Sequence, residues 1–163
     1  MIAILYNIRS VHNVGSMFRT ADAAGIKKLY LCGITPTPLD RFNQKRKDFI
    51  KASLGAEDSV PWEKVGRTIH DAQESTLALI QQLKKDGYEI VAIEQNKNSI
   101  PYTSYRSAHK NIALIMGNEV DGVPKELCAA SDAIVEIPMQ GTKESLNVSV
   151  AFGIAAFEIK KML

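Results

Sequence analysis

Ile137-Pro138-Met139-Gln140-Gly141-Thr142-Lys143-Glu144-Ser145-Leu146-Asn147-Val148-Ser149-Val150-Ala151 is the stretch on which the fold turns. It leads from a short β-rich segment, Ala133 to Ile137, through small and polar residues into an apolar segment, Leu146 to Leu163. A helix start needs a single capping side chain, yet two polar groups, Ser145 and Asn147, open this one. Buried polar groups need partners, so the pair points to contacts beyond the local backbone. Leu146, Val148, Val150, Phe152, Ile154, Phe157 and Ile159 leave the helix almost no polar face before Lys160. A small domain can hardly cover such a helix alone. Burial in a homodimer interface is the preferred reading, with an unusually enclosed single domain as the alternative.

Working back from that stretch, β-rich runs occur at Ile2 to Tyr6, Lys28 to Cys32, about Ser59 to Trp62, Glu89 to Ile93 and Ile112 to Met116. Helical segments lie between them. Ser16 to Ala24 is closed by Gly25, His70 to Lys85 stops at Gly87, and Pro124 to Ala130 precedes the last strand. Gly33 to Lys47, with two prolines and a polar run, reads as a loop. Such alternation predicts an α/β fold: a mostly parallel sheet with helices on both faces and ligand sites in the loops that follow the strands.

With 163 residues, 45% of them hydrophobic, the chain has the size and apolar content of one domain spanning 1–163. It has no membrane-length apolar run, and MIAILYNIRS has none of the features of a secretory signal, so a soluble, cytoplasmic protein is expected. Cys32 and Cys128 stand apart with no second thiol at ligand spacing and read as buried small residues. His12, His70 and His109 are equally dispersed; no metal site is expected. A net charge of +2 leaves any polyanion binding to local patches.

Three segments place small, polar and charged residues where strand-to-helix loops are expected: Asn13 to Ala21, Ile115 to Pro124 and Ile137 to Ala151. Taken singly, each admits a plain backbone explanation. Asn13 could be a cap, Arg19 a solvated charge, and Gly117 with Gly122 turn residues. GxGxxG, GxSxG and P-loop patterns are missing, which argues against nicotinamide, flavin, serine-hydrolase and nucleoside-triphosphate chemistry. An unrelated flavodoxin-like or nucleotide-binding domain would need a phosphate-cradling loop after its first strand.

Together, in this order and spacing, the three segments resemble the motifs of the SpoU family, also called TrmH, within the SPOUT class of methyltransferases. The first is Asn13-x-Gly15-x-x-x-Arg19-Thr20-Ala21, the second Gly117-x-Glu119-x-x-Gly122, and the third Ile137-Pro138-Met139-x-Gly141 with Ser145-Leu146-Asn147-Val148-Ser149-Val150-Ala151. The resemblance covers nearly the whole chain. It implies a carboxyl-terminal deep trefoil knot, an active site completed across a homodimer, and transfer of a methyl group from S-adenosylmethionine to a ribose 2′-hydroxyl of tRNA or rRNA. A catalytically silent RNA-binding module of the same fold is the alternative.

The resemblance also assigns residues. Cofactor contacts fall on Glu94, Gly117, Ile137, Met139, Ser145 and Leu146. Asn13 and Arg19 engage the substrate, Glu119 supports Arg19 or the proton route, and Ser145 with Asn147 shape the pocket. A guanidinium holds its proton too tightly to serve readily as a base. Arg19 is better suited to binding a phosphate and stabilising developing alkoxide charge. For RNA contact the basic loop Arg41, Lys45, Arg46 and Lys47 is the candidate, with Phe42 stacking on a base; a merely solvated loop is the alternative. The chain starts at its first strand with no added RNA-recognition domain, so substrate choice is expected to rest on the dimer surface or on another protein.

Overall fold

The computed structural model describes residues 1–163 and contains seven strands and six helices. In chain order they are β1 (Ile2–Tyr6), α1 (Val11–Ala23), β2 (Leu29–Cys32), α2 (Lys47–Ser53), α3 (Ala56–Ser59), β3 (Trp62–Val65) and α4 (Ile69–Lys85). Then follow β4 (Glu89–Ile93), β5 (Ile100–Pro101), β6 (Ile112–Met116), α5 (Lys125–Ala130), β7 (Ala133–Glu136) and α6 (Val148–Lys160). The strands form one sheet in the order β3-β2-β1-β6-β4-β7-β5, and every pairing is parallel. All strands therefore end at the same edge, where their following loops gather.

Both faces of the sheet are covered, as the near-continuous apolar strands require. In β1, Ala3 and Leu5 point to one core, where they meet Val14, Met17 and Phe18 of α1, Phe49 of α2 and Phe152 and Ile159 of α6. Ile2, Ile4 and Tyr6 point to the other, with Ala72, Ile80 and Leu83 of α4 and Leu127 and Cys128 of α5. The period-two alternation thus sorts one strand into two cores. Phe18 and Phe49 meet edge to face at 5.2 Å and tie α1 to α2. Both cysteines are buried thiols, and burial pushes Cys32 up to about 11.

The expected α/β architecture with helices on both faces is the one observed. Several boundaries differ. The first helix begins at Val11 instead of Ser16, because Ser10 is its cap: the Ser10 hydroxyl accepts from the Asn13 N–H at 3.3 Å. Asn13 and Gly15 consequently lie in the helix, not in a loop. The third strand is displaced to Trp62–Val65, its ladder starting beyond Pro61. Helices α2 and α3 and the two-residue β5 were not expected. The last helix starts at Val148, with Asn147 as its cap. No helix is long and apolar enough to cross a membrane.

Candidate active site

The loop after β1 and the loop after β6 meet at a carboxylate. Glu119 accepts the peptide N–H groups of Arg9 at 3.0 Å and Ser10 at 3.1 Å, and the Asn13 side-chain amide at 2.7 Å. This seats a negative charge at the start of α1, where free N–H groups and the helix dipole favour an anion. Burial works to raise Glu119, but the Arg9, Asn13 and Ser10 donors together hold its carboxyl below the ordinary value.

The third segment joins through Asn13. The Asn147 amide donates to Asn13 Oδ1 at 3.1 Å, while Asn147 Oδ1 accepts from the Ser149 N–H at 2.9 Å and the Ser149 hydroxyl at 2.7 Å. Asn147 therefore caps α6 and reaches across to α1 with the same side chain. A continuous chain of hydrogen bonds runs Glu119, Asn13, Asn147, Ser149, uniting residues from positions 13 to 149.

Beside this junction a cleft of about 260 Å³ opens between the ends of β4, β6 and β7. Glu94, Gly117, Ile137, Met139, Ser145 and Leu146, all six sequence-selected cofactor positions, line it, together with Glu119. Ile93, Met116, Glu136, Asp121 and Glu144 also line it and were not selected. The first three end strands or lie beside their ends, so the rule placing ligands at carboxyl ends could have found them. Gly117 is needed for close approach: a Cβ there would lie 1.9 Å from the Gly122 carbonyl carbon. Gly122 in turn has φ +67, the left-handed region that glycine tolerates, and lies against Glu94. Glu94 accepts the Val123 N–H at 2.7 Å and the Gln95 N–H at 2.8 Å, pinning the 117–123 turn.

The cleft has a distinct chemistry. Five carboxylates line it, Glu94, Glu119, Asp121, Glu136 and Glu144, and no lysine or arginine does. Alongside them stand the apolar side chains of Ile93, Met116, Ile137, Leu146 and Val148. Such a lining suits a ligand that is partly flat and apolar and partly cationic, and it disfavours phosphates.

Other selected residues lie apart. Arg19 is exposed on α1, does not line the cleft and makes no side-chain hydrogen bond or ion pair within the chain; Glu119 is engaged by Arg9, Ser10 and Asn13 instead. In the basic loop, Lys45 pairs with Asp58 at 2.7 Å and Arg46 with Asp48 at 3.1 Å. Arg41 stacks over Phe42 at 4.7 Å, and Phe42 is 68% exposed. Asp40 accepts the N–H groups of Phe42 and Gln44, holding that tip. Lys47 is exposed and has no carboxylate partner.

A parallel α/β domain with an acidic, apolar-walled cleft at its carboxyl edge, flanked by an Asn–Asn–Glu junction, is the class these features define. The SpoU rRNA Methylase family model matches residues 1–157, and the chain belongs to that family. It is 32% identical over 158 residues to the 23S rRNA (guanosine-2′-O-)-methyltransferase RlmB of Escherichia coli K12; the match covers 96% of this chain and 58% of that protein. The chain thus spans little more than half the length of this curated relative. Among solved structures it is similar to the A. aeolicus TrmH/SpoU tRNA modifying enzyme (29% identity, TM-score 0.79, 99% of this chain and 74% of that one). It is also similar to the AdoMet-bound rRNA methyltransferase of Sinorhizobium meliloti (30% identity, TM-score 0.83, 99% and 56%).

Proposed function

We propose that this chain methylates a ribose 2′-hydroxyl of tRNA or rRNA, using S-adenosylmethionine, as a homodimer in the cytoplasm. The observation that carries the reading is the cleft, where all six sequence-selected cofactor positions meet one lining of five carboxylates and apolar walls. S-adenosylmethionine would supply a methyl group already activated on a positively charged sulfur, beside a flat adenine. Ile137, Met139 and Leu146 offer apolar walls, and Gly117 lets backbone groups approach closely. The protein's remaining task is positioning: to align the sugar oxygen, exclude water and assist loss of its proton.

Asn13, held between Glu119 and Asn147, would orient the hydroxyl from beside the cleft through Glu119, and Ser145 lines the cleft itself. Arg19 has no partner in its own subunit, so its guanidinium is available to a substrate phosphate or to the partner's site. In the basic loop Lys45 and Arg46 pair with carboxylates at the surface, and such exposed pairs neutralise little, so Arg41, Lys45, Arg46 and Lys47 all remain available to RNA phosphates, with Phe42 offering a stacking face. A deep trefoil knot in the 137–163 region belongs to the same reading. It is supported by the return of α6, from a strand near the sheet's edge, to pack on α1 and behind β6.

Incubating the protein with labelled S-adenosylmethionine and total RNA from a strain lacking the gene should label one nucleotide, resistant to alkaline cleavage at its 3′ side. Absence of label in every RNA would overturn the reading. With that substrate at saturation, Arg19→Ala is expected to lower turnover at least about a hundredfold, as lost charge stabilisation does, and Arg19→Lys to retain part of it. Near-normal turnover in the alanine variant would remove Arg19 from the mechanism.

A further inference from the structure

We propose that the cleft recognises its ligand by positive charge and so holds the methyl donor more tightly than the demethylated product; this rests on the methyl-donor reading above. Of the five carboxylates lining the cleft, only Asp121 has a basic partner, Arg9 at 3.6 Å, and both groups are more than half exposed. Such a pair neutralises little. Glu94, Glu119 and Glu136 are held by neutral N–H or hydroxyl donors, which steady a negative charge without cancelling it. Glu144 has no hydrogen-bond or ionic partner at all.

S-adenosylmethionine carries a net positive charge at neutral pH, whereas S-adenosylhomocysteine, with an uncharged sulfur, is net neutral. The two share every other group. In a neutral pocket they would differ by one methyl contact; in this one they differ by the attraction of a cation to a cluster of carboxylates at close range. Loss of that charge weakens the product's hold, so the cleft clears itself after each turnover. Because part of the cluster faces solvent, salt should weaken the preference.

Calorimetric titration of the intact protein with three ligands tests this: S-adenosylmethionine, S-adenosylhomocysteine and sinefungin, which carries an ammonium in place of the sulfonium. The two cations are expected to bind about tenfold more tightly than S-adenosylhomocysteine at low salt, with the gap narrowing in high salt. Asp121→Asn combined with Glu144→Gln should shrink the gap, lowering the affinity of the two cations more than that of S-adenosylhomocysteine; both side chains are exposed, so the fold should tolerate the change. Product binding as tight as donor binding at low salt, or a gap indifferent to salt and to the double substitution, would overturn the inference and leave the donor reading intact. Failure of all three ligands to bind would overturn both.

Discussion

Asn13 touches both of the other motif segments: its amide donates to Glu119 at 2.7 Å and its carbonyl oxygen accepts from Asn147 at 3.1 Å. Replacing it by alanine removes two hydrogen bonds, a stability loss of about 1–2 kcal/mol, and frees α6 from α1 at the cleft. Asn13→Asp should be worse despite its closer shape, because it sets a second carboxylate against Glu119 where an N–H now donates. The expected order of methyl-transfer rates is wild type, then Asn13→Ala, then Asn13→Asp; an aspartate variant as active as the alanine one would show that the junction does not depend on donation to Glu119. The pH response follows from the same site. With its carboxyl held below the ordinary value, Glu119 contributes stability that is present above the unfolded value, about 4.3, and is lost as pH falls through the folded one. Melting temperature should therefore drop more steeply between about pH 5 and 3 in the wild type than in Glu119→Gln, and the two slopes should coincide above that window.

Among the elements, α1 and α2 are in close contact at Gly15, where an added Cβ would lie 2.6 Å from the Ala52 Cβ and 3.1 Å from the Phe49 carbonyl oxygen. Gly15→Ala should push the helices apart at a cost of about 1–3 kcal/mol, and Ala52→Gly in the same chain should recover part of it. Chemical denaturation of the two single variants and the double one measures this; a fully additive result would mean that the contact is not made. The same pair of helices marks the limits of legibility. Long periodic or apolar segments, β1, α4 and β6, could be read nearly to the residue. Helix α2 spans seven residues behind a Lys-Arg-Lys run and buries only Phe49 and Ser53, too short a face for a 3.6-residue period to register. Helix α1 starts five residues before the expected Ser16, because its cap is Ser10, within the polar run that follows β1 and shows no apolar periodicity. At the site, the polar pair that opens the last helix is exposed, not buried: Asn147 pairs with Asn13, while Ser145 makes no side-chain hydrogen bond. The sequence could not say that Glu119 would face Asn13 and the turn at Arg9 and Ser10 while Arg19 stood apart, since that depends on where two crossovers end.

For the whole molecule, the outer face of α6 is the largest apolar feature left at the surface of the last helix. Val148, Phe152, Ala155, Ala156 and Ile159 are buried against the chain's own core, so part of this apolar helix is enclosed within one subunit. Leu146, Val150 and Phe157 are not: they are 41%, 49% and 49% exposed; Val150 and Phe157, seven residues apart, share one face of α6, and Leu146 immediately precedes the helix cap. An exposed apolar face on a folded domain favours association, and a two-fold dimer needs only one self-complementary patch. Leu146 also lines the cleft, so the same association would close the ligand site on its open side. Two consequences separate this arrangement from a monomer with a greasy surface. Val150→Glu with Phe157→Glu should convert a dimer into a monomer in sedimentation at low micromolar concentration, since two buried like charges on each subunit are strongly unfavourable. Because neither residue needs to touch the ligand, a parallel loss of S-adenosylmethionine affinity in that monomer would trace to the missing neighbour over Leu146. Unchanged sedimentation would dismiss this face as an interface, and a monomer with undiminished affinity would confine the ligand site to a single chain.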